Sequence, residues 1–287
     1  MQDLRTLKQR IQAVRNIRKI ADAMKMVSTV KYWRLQDALH RSRKLCEELQ
    51  AFVPPAAILQ DAETQEEPPV HLVLAFFPHR GMCGPLTQNL AHAVSTWFPE
   101  QDIEEKKIRF AVFGRKGRDV MPESRYPRPP WDGMFFLSTE NADEAALQQA
   151  ARQLGAWVMQ GRIHKLEAVA AHFQNLLRQK PERIPLFPLP PDPEDPGVEI
   201  ELEPDAQRFL ETFIPLYLEA HLRRILMECM VSEHASRMTA MDNASKNAGE
   251  LIDRFRLEYI KSDNQKLHWN SWKSSVVPRH CNESDCQ

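Results

Sequence analysis

Phe77-Pro78-His79-Arg80-Gly81-Met82-Cys83-Gly84-Pro85 brings an imidazole, a guanidinium and a thiol into one short turn. A thiol beside an imidazole is the pairing of a nucleophile with its base. Such a pair needs a third group to orient the base, and the neighbouring sequence offers none. The turn leads from an apolar run into an amphipathic segment, so its amides could hold an anion at a helix N-terminus. A tight β-to-α connection is the simpler reading. Gly114-Arg115-Lys116-Gly117 is a second turn of this kind, with two cations. Nucleotide chemistry finds no other foothold. There is no GxxxxGKS or GxxxxGKT, no GxGxxG after the first apolar run, no HExxH, no GxSxG and no paired-carboxylate motif. Nine glycines in 287 residues are few for a chain built around phosphate-cradling loops.

The elements that hold these turns alternate. His71–Phe77, Ile108–Phe113 and Leu166–Phe173 are short runs rich in Val, Leu and Phe, the pattern of buried strands. Leu86–Phe98 and Asp143–Gln160 read as amphipathic helices. Strand, helix, strand, helix, strand predicts a small parallel α/β sheet. Residues 54–69 and the Pro-rich, acidic 185–205 read as linkers, and Tyr126–Asp132 as a loop.

The two ends are a different kind of sequence. Met1 to Val53 contains neither Gly nor Pro. Leu4, Leu7, Ile11, Val14, Ile17, Ala21, Met24 and Val27 follow close to a heptad rhythm, the seam of a coiled coil. Residues 1–34 carry nine cations (Arg5, Lys8, Arg10, Arg15, Arg18, Lys19, Lys25, Lys31, Arg34) against Asp3 and Asp22. One such residue is an ordinary solvated side chain; the set points to an acidic partner surface. Interleaved aromatics are almost lacking, so nucleic acid is not the expected partner. A second rod follows Asp205, a plausible N-cap, with Pro215 near its start. Met227, Val231, His234, Met238, Met241, Ala244, Ala248, Leu251 and Phe255 form its seam. Ala244 and Ala248 allow close approach, and the methionines fill irregular gaps. His234 reads as a packed seam residue, and Gly249 as a point of closeness to another element.

Other classes are excluded by composition. No run of apolar residues is long enough to span a bilayer, and MQDLRTLKQR lacks the apolar stretch of a secretory signal. Five scattered cysteines without CxxC spacing read as free thiols, with no disulfide frame or zinc site. A net charge of −1 excludes a general polyanion binder.

Three stretches together resemble one family. Ile17-Arg18-Lys19-Ile20-Ala21-Asp22-Ala23-Met24-Lys25-Met26-Val27 resembles the N-terminal helix of the F-type ATP synthase gamma subunit. Arg80-Gly81-Met82-Cys83-Gly84 with Leu86, Asn89 and Leu90 resembles that family's RGLCG turn. Glu233 to Ala248 (EHASRMTAMDNASKNA) resembles its most specific motif. The match runs from residue 1 to about 260 and is weak in detail over 118–205. The resemblance implies a mixed fold: a long antiparallel two-helix coiled coil from both termini (1–53 and 205–260), plus a central Rossmann-like α/β domain over 70–200.

It also implies a non-catalytic rotor shaft that couples proton flow to ATP synthesis or hydrolysis on other subunits, with no cofactor of its own. The implied partners are the alpha and beta subunits of the head, the epsilon subunit and the membrane rotor ring. The implied location is the cytoplasmic face of the bacterial inner membrane. Met24 and Lys25 match the region facing an acidic loop of the beta subunits, with Arg15, Arg18 and Lys19 beside them. Gly81, Cys83 and Gly84 match the turn near epsilon and the ring. Met238, Met241, Asn243 and Ala248 lie in the C-terminal motif. Pro85 stands where the family has Gly. The alternative is a coiled-coil scaffold with an α/β head and no rotary role; a nucleotide-binding enzyme in the α/β segment is a third reading.

After Ile260 the pattern changes. Residues 261–287 lack the heptad and the family's ending, ITxELLEIVSGAEAL, and a disordered or loosely packed end is expected. The genetic code gives a specific reading of this tail. Joining the third base of each codon from Lys261 to the first two of the next, one permitted codon set spells IRQSKATLELLEIVSGAEALQRI and then a stop. Four residues are forced whatever the codons: His268-Trp269 and His280-Cys281 give Leu, and Trp269-Asn270 and Trp272-Lys273 give Glu. The hypothesis is a single-base frameshift at or just before Lys261. Resequencing the gene there is expected to show an uninterrupted family-type frame on restoring one base; codons incompatible with that spelling end the idea.

Overall fold

The computed structural model describes residues 4–50, 52–53, 70–129, 137–140, 143–189 and 206–276. In chain order it holds α1 (Leu4–Gln50), β1 (Val70–Phe76), α2 (Leu86–Trp97), α3 (Glu100–Glu105), β2 (Ile108–Phe113) and α4 (Arg115–Val120). Then follow α5 (Glu144–Met159), β3 (Ile163–Asn175), β4 (Arg178–Phe187) and α6 (Ala206–Val276). Among the described residues no helix is long and apolar enough to cross a membrane. Contacts divide the chain into two units, Met26–Ala240 and the pair Met1–Lys25 with Met241–Gln287.

The larger unit is built on one sheet, ordered β2-β1-β3-β4. β1 pairs in parallel with β2 and β3. Every residue of β1 is buried, as a central parallel strand covered on both faces requires. Leu72, Leu74 and Phe76 face one layer, formed by α5 (Leu147, Leu154) and the start of α6 (Phe213, Ile214, Tyr217, Leu218). Val73, Ala75 and Phe77 face the other, formed by Leu86, Leu90 and Val94 of α2. The alternation of β-strand side chains thus divides one apolar run between two cores. Asp143 caps α5 by accepting from the Ala145 amide at 3.1 Å. Gly114, between β2 and α4, has φ +87°, and an added Cβ would lie 2.0 Å from the Phe77 carbonyl oxygen. Only glycine fits there.

Two corrections concern the sheet. The sequence predicts a parallel sheet alone, whereas β4 pairs antiparallel with β3 from Asn175↔Arg178 to Leu166↔Phe187. Pro185, Leu186 and Phe187, read as linker, end that strand. Prolines at 181 and 185 mask the strand signal, yet on an edge strand they are tolerated. Pro215 lies inside α6, which begins at Ala206. The 54–69 linker, Asp205, Cys281 and Cys286 fall outside the described residues.

In the same unit α1 runs antiparallel to α6. Tyr32 and Leu39 pack with Val231, Ala235 and Phe173, and Arg43 Nε donates to Glu228 at 3.1 Å. In the smaller unit Lys8 lies over the Tyr259 ring, Arg18 faces Gly249, and Lys25 pairs with Asp242 at 2.6 Å. As the index rises along one helix it falls along the other, so these segments too are antiparallel.

The seam differs in phase from the apolar spacing. Leu7, Ile11 and Ala21 are buried, but Ile17 is 56% exposed; the seven-residue repeat from Leu4 and Ile11 reaches Arg18 and Lys25 instead. Farther along α1, Val27 is exposed and Ser28 is buried. On α6, Ser245 and Ile252 are buried where Ala244 and Leu251 were expected. An added Cβ on Gly249 would stand 3.5 Å from Arg18, an ordinary contact, so close approach does not require this glycine. The helix continues past Ile260 to Val276. Ser262 and Lys266 are half-buried, and Leu267 to Trp272 are exposed. The tail therefore keeps helical geometry with polar residues at positions that seam spacing would fill with apolar ones.

Ile11→Ala is expected to lower stability by about 2–4 kcal/mol through lost burial and cavity formation. Ile17→Ala should change it by less than about 0.5 kcal/mol. Urea unfolding followed by circular dichroism distinguishes this phase from the one with Ile17 inside.

Candidate functional site

The turn that opened the sequence argument is seated on α6. Its backbone is bent into two unusual conformations, Met82 at φ 61° and Gly84 at φ 56°. Glu233 of α6 accepts from the amides of His79 at 2.7 Å and Arg80 at 3.3 Å. Arg237, one helical turn later, donates to the carbonyls of Gly81 at 3.1 Å and Arg80 at 3.2 Å. The two side chains also join each other at 2.5 Å. Ser236 donates to the Cys83 carbonyl at 2.6 Å. Glu233 and Arg237 are buried, and their charges are served by each other and by the turn's backbone. A Cβ on Gly84 would lie 3.7 Å from Ser236 Oγ and 3.8 Å from Ala240, so the turn rests directly on this helix face.

This geometry answers the chemical questions. The amides that could bind an anion hold one that belongs to the chain, the Glu233 carboxylate. Cys83 is 3% exposed, and burial pushes its thiol above the ordinary range, the reverse of what a nucleophile needs. Its sulfur lies 3.7 Å from the Arg80 carbonyl and 3.8 Å from Thr87 Oγ1. His79 turns instead to Glu140, at 3.2 Å, and Arg80 pairs with the same carboxylate. An orienting group for the imidazole thus exists, out of reach of sequence inspection, but it does not complete a catalytic set. Cys46, Cys83 and Cys229 are free thiols.

His234 is half-buried, as a seam residue should be, and its Nδ1 lies 3.3 Å from Arg237 Nη1. Burial, then the Arg237 charge, lowers its pKa from 6.5 to about 4. At neutral pH it is an uncharged acceptor for that guanidinium.

In the smaller unit the expected partner residues are distributed unevenly. Arg15, Arg18, Lys19 and Asn243 are exposed, Met24 and Lys25 are half-buried, and Met241 and Ala248 are buried. Lys25 is engaged by Asp242, whose carboxyl is held at about 2 by hydrogen bonds from Lys246 and Lys25. In the larger unit Gly81 and Met238 are half-buried and Gly84 is exposed. Cys83, Met241 and Ala248, expected among the partner-facing residues, are buried within the chain. Sequence reasoning missed Glu233, Ser236 and Arg237. Their i, i+3, i+4 spacing, which puts three polar groups on one helix face, was the available signal.

Arg237→Met is expected to cost about 3–5 kcal/mol, because it leaves Glu233 charged and buried without its partner. A thermal unfolding series checks it. The pH dependence has a definite sign. A histidine with a depressed folded pKa takes up its proton more readily when unfolded, so stability falls as pH drops from 6.5 toward about 4. His234→Gln should flatten part of that decline.

A protein-family model described as ATP synthase matches residues 3–265. The ATP synthase gamma chain of Granulibacter bethesdensis is 31% identical over 286 residues, covering 91% of this chain and 94% of that protein. The gamma chain of Moorella thermoacetica is 32% identical over 272 residues, covering 91% and 93%. A cryo-EM structure of the Euglena gracilis mitochondrial ATP synthase rotor shares the fold at TM-score 0.58 and 18% identity, covering 92% of this chain and 98% of that one. Two of the three motifs that carried the resemblance meet in space at the Glu233–Arg237 clamp, and the chain belongs to the ATP synthase gamma chain family.

Proposed function

We propose that this chain is a non-catalytic central-stalk rotor subunit of a proton-translocating ATP synthase. In this reading it transmits torque between proton flow and nucleotide sites on the alpha and beta subunits. The observation that carries it is an antiparallel two-helix segment in a chain whose α/β body, among the described residues, offers no assembled catalytic set. A shaft must present similar energies to several orientations of a surrounding surface. A preference of about 1.4 kcal/mol for one angle already biases the population tenfold. Exposed cations on a helix suit this: their attraction to an acidic surface is long-ranged and does not depend on interlocking shapes.

Met24 and Lys25 would face an acidic loop of the beta subunits, Lys25 as a cation shared with Asp242, with Arg15, Arg18 and Lys19 beside them. The exposed side of the Gly81–Gly84 turn would meet the epsilon subunit and the membrane ring, with the clamp on α6 fixing its shape. Met238 and Asn243 add accessible surface along the C-terminal motif. The site of action would be the cytoplasmic face of the bacterial inner membrane, where the chain is peripheral. Residues 261–287 are read as the out-of-frame part of the C-terminal helix, and the family match stops within them, at residue 265.

Affinity purification of the tagged chain from its native cells tests the rotor reading. Recovery with a three-plus-three hexamer of nucleotide-binding subunits is expected. Recovery alone or with unrelated partners would favour the scaffold reading. Charge reversal at Arg15, Arg18 and Lys19 together should reduce coupled ATP synthesis while leaving the chain's own unfolding temperature within a few degrees, since these side chains are exposed.

A further inference from the structure

In the larger unit His172 of β3, Glu182 of β4 and Glu228 of α6 converge, their ligand atoms all within 4.8 Å of one another. His172 Nδ1 lies 2.8 Å from Glu228 Oε2 and 3.1 Å from Glu182 Oε2. One ring nitrogen carries one hydrogen and can serve one of these oxygens. Glu182 Oε2 is out of contact with solvent and has no hydrogen-bond partner. The Glu228 side chain is 2% exposed, and its other oxygen, Oε1, is taken by Arg43 at 3.1 Å and Arg224 at 3.5 Å. Arg43 is itself fixed by a 2.7 Å hydrogen bond to the Phe173 carbonyl. The two guanidiniums thus orient the buried carboxylate with Oε2 facing the histidine.

We propose that this cluster is a divalent transition-metal site, with His172 Nδ1, Glu182 Oε2 and Glu228 Oε2 as protein ligands and water completing a tetrahedral shell. Zinc bonds of about 2.0–2.2 Å place ligand atoms about 3.4 Å apart, so small rotamer adjustments open the present 2.8 and 3.1 Å separations to the needed size. One imidazole with carboxylates suits Zn2+ or Co2+ better than Mg2+ or Ca2+, which prefer all-oxygen shells. Binding displaces the hydrogen from Nδ1 and leaves the ring's hydrogen on Nε2. The ion would satisfy the unpartnered Glu182 oxygen and tie the β3–β4 hairpin to α6. Arg43 and Arg224 already offset the charge of Glu228, so the affinity is moderate. The site stands apart from the rotor reading and is independent of it.

The test uses the purified full chain. A saturable rise in unfolding temperature with Zn2+, much weaker with Mg2+, is expected. So is a Co2+ absorption spectrum of low-coordinate nitrogen and oxygen ligation without a thiolate charge-transfer band. Glu182→Gln and His172→Gln, separately, should each weaken Zn2+ binding by at least about tenfold. Glu182 lies on an edge strand and is partly exposed, so its variant keeps the far-ultraviolet circular dichroism of the parent. No saturable effect of Zn2+, unchanged affinity in both variants, or a thiolate band from the cysteines would each overturn the assignment.

Discussion

A buried carboxylate makes the chain one structure where its sequence has two distant motifs. Glu233 leaves water to accept two amides of a turn more than a hundred residues earlier, and Arg237 compensates both that charge and the turn's carbonyls. Either charge alone would be costly in this place, so the pair is all or nothing. Because both residues stand on the inner face of α6, satisfying them fixes where the helix lies against the sheet. Met82 and Gly84 can keep their positive φ angles because the surrounding bonds over-determine them.

The same pair decides the chemistry. A turn with a thiol, an imidazole and free amides could have evolved toward catalysis or phosphate binding. Here each of these groups is consumed by structure. The amides hold Glu233, the thiol is buried beside Thr87, and the imidazole faces Glu140. What is left on the outside is shape and charge, the properties a mechanical partner reads.

Much of this was legible in the sequence. The absence of Gly and Pro before Val53 predicted α1, and continuous apolar runs predicted β1 and β2, because helix and buried strand leave strong periodic traces. The exact seam was not. Apolar residues at 17 and 27 drew the expected stripe off phase, while Arg18 and Lys25 occupy seam-phase positions through long stems and a partner carboxylate. Likewise Ser245 is buried and Leu251 is 40% exposed, so hydropathy alone mislocates the contact line. β4 was invisible because two prolines and several charges hide its strand pattern, and its last three residues read as linker. Half of the clamp left a mark, the helical spacing of Glu233, Ser236 and Arg237, but its partner did not, since the hydrogen bonds reach a turn far away in sequence.

Those prolines have a further effect. A proline can sit within a ladder only where its nitrogen points away from the neighbouring strand. Pro181 and Pro185 both pair across to β3, so the donors they lack are missing from the outer rim of the sheet. An extended segment of another molecule that tried to add itself there would find gaps in place of amide hydrogens. The β4 edge is thereby made unattractive to strand-on-strand polymerisation, a hazard for any subunit produced in many copies before it finds its assembly.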